Sequence, residues 1–104
     1  MRKTMCLCEG RHEMPSEVEG SIFPNTLNPT DLEGMQQIVS EKLEGVTMLR
    51  LYVTGLSVAL VEVIKYCIEN KVELALYHYD LTTGKYYKQP VTGWEERYKF
   101  IIEY

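Results

Sequence analysis

The chain reads as a small three-layer α/β domain, in which three parallel strands and two helices are followed by an antiparallel β-meander. Three observations predict it. Apolar runs that suit strands alternate with two stretches of helical periodicity, and alternation of that kind builds a parallel sheet through right-handed crossovers. Gly and Thr-Gly turns punctuate the boundaries. A length of 104 residues allows one core, so residues 1–104 form a single domain.

Thr4–Cys8 suits a first strand, ending at Glu9-Gly10. Residues 10–30 are rich in Gly, Pro, Ser, Asn and Glu and carry one notable apolar pair, Ile22-Phe23. A connection of this length is expected to be a long loop, of a kind that is either functional or disordered. The first helix opens with Asn28 as cap, Pro29 in the first helical position and Asp31 in the first turn. Leu32, Met35, Ile38, Val39 and Leu43 then share a face, and Gly45 closes the helix.

Thr47–Val53 is the second strand. The second helix, Ser57 to about Glu69, carries Val58, Leu60, Val61, Val63, Ile64, Cys67 and Ile68. Apolar residues cover so much of its circumference that packing on two sides is expected, one of them against a second subunit. Val72–Tyr79 is the third strand. Asp80–Gly84 turns the chain into Lys85–Val91, and Pro90 suits the end of an edge strand. Arg97–Tyr104 is either a last antiparallel strand or a short helix, and its β-branched and aromatic content favours the strand. Whether the first strand lies in the middle of the sheet or at one side is open at this level.

A net charge of −4, with 45% apolar and 25% charged residues, describes an ordinary globular protein. With no basic run, duplex nucleic acid is not an expected partner. No segment has the roughly 20 uninterrupted apolar residues that a membrane-spanning helix needs. The start MRKTMCLCEG lacks the apolar core and cleavage site of a signal peptide. Three cysteines, all in probable core segments, suit free thiols in a reducing cytoplasmic compartment. Cys6, Cys8 and His12 fall short of a four-ligand structural zinc site, and no cofactor or metal is expected.

Open α/β sheets bind ligands outside the carboxyl ends of their strands. Three polar segments converge there: Glu9-Gly10-Arg11-His12-Glu13, Thr54-Gly55-Leu56-Ser57 and Tyr77-His78-Tyr79-Asp80. The Thr-Gly-Leu-Ser turn offers helix-start amides, two hydroxyls and a Gly that admits a ligand to the backbone. The same residues also suit a plain corner, with Gly55 turning the chain and Ser57 capping the helix. Neither the Walker pattern nor the dinucleotide fingerprint is present. Arg11 suits phosphate, and His12 suits proton transfer near neutral pH. His78 is either a site residue or a satisfied histidine between two tyrosines.

A strand ending in apolar-Thr-Gly-Leu, a helix beginning Ser-Val-Ala-Leu-Val and a following apolar strand, over residues 47–79, resemble small CARF (CRISPR-associated Rossmann fold) domains and their stand-alone relatives. The resemblance implies a Rossmann-like homodimer that binds a small anionic nucleotide-like ligand, such as a cyclic oligonucleotide, at the strand carboxyl ends. It maps phosphate-holding roles to Thr54, Gly55 and Ser57. Some relatives cleave such rings without metal, a reaction in which His12 would be the base and Arg11 the charge stabiliser. Binding without catalysis makes the smaller demand and is the expectation here. The Gly10-Arg11-His12 loop and the C-terminal meander have no counterpart in the pattern. A rival reading is a protein-interaction module of phage or mobile-element type, docking on a protein partner through the 13–28 loop, with Ile22-Phe23-Pro24 exposed, and through the aromatic hairpin.

Overall fold

The computed structural model describes residues 1–10 and 13–92. Among these residues it is an α/β domain with one mixed five-stranded sheet and two helices. The strands are β1 (Arg2–Cys8), β2 (Ser21–Phe23), β3 (Met48–Tyr52), β4 (Glu73–Asp80) and β5 (Lys85–Pro90). The helices are α1 (Leu32–Lys42) and α2 (Ser57–Glu69). Across the sheet the order is β2-β1-β3-β4-β5. The first four strands are mutually parallel and β5 returns antiparallel along β4.

The parallel core therefore has four strands rather than three. The extra one is Ser21–Phe23, inside the stretch expected to be a loop. It is held by the rung Cys8↔Phe23 and by Glu9 N–H donating to the Phe23 carbonyl at 3.0 Å. Ile22 and Phe23 are fully buried, which overturns their expected exposure as a docking loop. Three residues are too few to display a strand period, so burial alone reveals β2.

Both helices lie on one face of the sheet, in contact with each other. Successive steps β2→α1→β3 and β3→α2→β4 move in the same direction, and right-handed crossovers then fall on the same side. Met5, Leu7, Leu49, Leu51, Leu74 and Leu76 alternate toward that side and meet Met35, Val39, Leu43, Ala59, Val63 and Cys67. The β1→β2 step runs the opposite way, and its connection crosses the other face: the Tyr52 hydroxyl there donates to the Glu17 carboxylate. Among the described residues that second face carries no helix, so two helical layers around the sheet, as expected for a three-layer domain, are not found.

The helix starts correct the expected caps. Asp31, not Asn28, caps α1, accepting from Gly34 N–H at 3.0 Å, while Asn28 Oδ1 accepts from Thr30 N–H in the preceding turn. Leu32 is accordingly exposed. The helix ends at Lys42 with Leu43 as its C-terminal cap, and Gly45, expected to end it, lies two residues further on in a left-handed conformation with φ +76°. The predicted β5 hairpin is present, whereas the predicted strand at 97–104 lies outside the described residues.

Candidate functional site at the strand carboxyl ends

The chain reverses its direction of travel across the sheet between β1 and β3. From β1 it moves outward to β2, and from β3 it moves the other way to β4. At such a reversal the two connections part and leave a crevice beyond the strand ends, where open α/β sheets hold ligands. Gly10 follows β1 and Gly55 follows β3 at this edge, both exposed, with φ of +73° and +90°. These left-handed conformations strain residues that carry a Cβ.

Thr54 forms the floor. It is buried, and its hydroxyl accepts from Cys8 N–H at 3.1 Å and donates to the Cys8 carbonyl at 3.0 Å. The side chain thus ties the ends of β1 and β3 together with both hydrogen-bonding roles in use. Its hydroxyl is thereby engaged at the junction of the two strand ends.

Ser57 is the first residue of α2 and does not cap it. The capping position falls on Leu56, whose extended backbone (φ −78°, ψ 131°) carries a side chain without hydrogen-bonding capacity. Among the described residues, the first amides of this 13-residue helix have no side-chain cap. They point out beside the exposed Gly55 and Ser57 hydroxyl. Such a start favours an anion through its N–H groups and dipole.

His78 does not join this crevice. It lies one strand further on, and its Nε2 meets Gln89 Oε1 of β5 at 2.8 Å while its ring packs at 5.4 Å from Tyr87. Arg11 and His12 lie outside the described residues. Of the expected set, Gly10, Gly55, Leu56 and Ser57 converge, Thr54 sits beneath them and His78 stands apart.

Asn25 was missed by sequence reasoning. The parallel register that pairs Cys8 with Phe23 carries on past the strand ends and sets Asn25 beside Gly10. A Cβ on Gly10 would stand 3.6 Å from both Asn25 Cβ and Nδ2. Only recognition of β2 could have brought Asn25 to this edge.

Two other polar clusters have structural explanations. On the face opposite the helices, Tyr52 stacks on Tyr77 at 4.9 Å and meets Tyr86 edge-on at 4.8 Å, with Tyr79 edge-on to Tyr86 at 5.3 Å. Burial, followed by the Glu17 carboxylate, pushes the Tyr52 phenol up to about 12. Between the helices, the buried Glu62 accepts from Gln36 Nε2 at 3.0 Å and from Lys65 Nζ at 3.2 Å. The Gln36 bond, with Lys65, holds its carboxyl below the usual range against the opposing effect of burial. These groups line a groove of about 330 Å³ between α1 and α2.

The cysteines are free and buried, as expected of core thiols. Burial raises Cys6 and pushes Cys67 up to about 12, so neither is a ready nucleophile. No group of three or more potential metal ligands occurs among the described residues, and no helix among them is long and apolar enough to cross a membrane. No protein-family model, curated protein or solved structure matches this chain.

Proposed function

We propose that this chain is a Rossmann-like binding module for a small anionic, nucleotide-like ligand, a cyclic oligonucleotide included, held at the strand carboxyl ends of a homodimer. One observation carries the reading: the uncapped start of α2 opens, with Gly55, onto the crevice where the chain reverses between β1 and β3. Phosphate needs donors and close backbone approach, and this edge supplies both without a Walker loop. Arg11 would add the cation that the exposed Glu9 otherwise opposes. Buried free thiols suit a reducing cytoplasmic setting.

Binding without turnover is the simpler chemistry here. Thr54 and His78 are engaged elsewhere, so a ring-opening reaction would fall to His12 as base and Arg11 as charge stabiliser. The test is a thermal-shift screen of nucleotides and cyclic oligonucleotides, followed by chromatography of the bound ligand. A ligand at 100 times its Kd adds about 2.7 kcal/mol of stability. A flat screen removes the reading, and linear products that disappear in His12→Ala convert the module into an enzyme.

The protein-interaction reading loses Ile22-Phe23 to the core but keeps the hairpin. Leu81 at its tip is 89% exposed and Tyr87 56%, and large exposed apolar residues of this kind anchor interfaces. That reading predicts one protein partner lost on Leu81→Asp with the fold intact.

A further inference from the structure

Glu62 is a charged side chain at a place where two packed helices ordinarily bury an apolar one. It is 4% exposed and lines the groove between α1 and α2. Gln36 Nε2 donates to its Oε1 at 3.0 Å, and Lys65 Nζ reaches Oε1 at 3.2 Å and Oε2 at 3.4 Å. Among the described residues, Oε2 has that long contact alone. Lys65 is itself half exposed and stands three residues along the same helix, and ion pairs of this kind contribute little. A buried carboxylate whose cation is held so weakly is open to a better one.

The C-terminal turn of α2 points to a cation independently. Its dipole favours positive charge there, yet the turn carries Glu69 and no basic residue. Glu69 lines the same groove, two helical turns or about 10 Å along α2 from Glu62. Buried Val39 adds an apolar wall. The groove, of about 330 Å³, has the size of a small-molecule site. No group of three or more potential metal ligands occurs among the described residues, so an inorganic ion finds too few donors here. We propose that the groove binds a linear aliphatic polyamine, with one ammonium on Glu62 in place of Lys65 and another at Glu69. Lys65 Nζ already shows that an ammonium reaches both oxygens of Glu62. The site extends to the end of α2 opposite the anion crevice and does not depend on it.

The experiment is calorimetric titration of the full chain with spermidine, putrescine, butylamine and tetramethylammonium at physiological ionic strength. Spermidine is expected to bind about fivefold more tightly than butylamine, the increment of a second, exposed ion pair. Tetramethylammonium, which has the charge but no N–H donor, should not bind. Lys65→Met removes the competing ammonium and should tighten spermidine several-fold. Glu62→Gln, which keeps an acceptor for Gln36, should abolish binding, and Glu69→Gln should bring spermidine level with butylamine. An absence of amine binding to both the wild type and Lys65→Met would overturn the proposal, as would tetramethylammonium bound as tightly as spermidine. If Glu62→Gln does not fold, the opposed effects of Lys65→Met and Glu69→Gln decide, and unchanged affinity in both overturns it.

Discussion

Thr54 shows how one hydroxyl can decide the geometry of a whole edge. Its paired bonds to the Cys8 amide and carbonyl hold two strand ends in register beneath the crevice. Thr54→Val keeps the shape and removes both partners, leaving buried backbone groups unsatisfied. We expect a loss of about 1–3 kcal/mol in urea denaturation with an unchanged m-value. Tyr52 makes a different prediction. Its folded pKa of about 12 stands above the ordinary 10 because burial and Glu17 favour the neutral phenol. That stabilisation is fully present below pH 10 and is lost as pH rises through about 12. Tyr52→Phe should therefore flatten the fall of stability between pH 10 and 12, read from urea midpoints across that range. A slope equal to that of the wild type would show that the phenol does not carry it.

At the scale of elements, the start of α2 trades stability for openness. Leu56 occupies a capping position where Asp or Ser would satisfy a helix amide and add about 0.5–2 kcal/mol. Leu56→Asp is expected to raise the unfolding midpoint and to weaken anion binding, because its carboxylate would occupy the amides and repel the ligand. Gain of stability together with undiminished binding would remove α2 from the site. The β1→β2 connection offers the second lesson at this scale. Its path brings Glu17 to Tyr52, and the β1–β2 register sets Asn25 beside Gly10. An α/β domain can thus close one crossover without a helix and still place polar residues at the carboxyl edge.

For the whole molecule, the arrangement of helices leaves one flank without a helix among the described residues. The step from β4 to β5 is a hairpin, so neither α1 nor α2 lies over β5, and Val61 and Ile68 on α2 remain 52% and 56% exposed. Together with Tyr87 they form the apolar surplus expected of a subunit contact. We expect sedimentation equilibrium at micromolar concentration to give a dimer mass, and Val61→Glu with Ile68→Glu to give a folded monomer. A wild-type monomer would remove the homodimer from the proposal. Neither substitution touches the crevice, so ligand binding measured on the same variant separates the effect of assembly from that of the site.

The sequence by itself determined the elements with a strong local signal. The α2 boundaries, the two strands flanking it and the Asp80–Gly84 turn all follow from periodicity and turn chemistry, and each was read to within a residue or two. Gly10 and Gly55 were legible because a left-handed turn demands glycine. Tertiary structure alone decided the rest. Ile22 and Phe23 carry no pattern of their own, and only pairing with β1 makes them a strand. The bonds of the Thr54 hydroxyl to the neighbouring strand end carry no local signal. His78 shares an edge with Gly55 in sequence logic, yet its cross-strand partners turn it toward β5. Asn25 enters the site only because β2 exists. Local propensity fixes which elements form, whereas the partners of a polar side chain depend on strand order and register, which are properties of the assembled sheet.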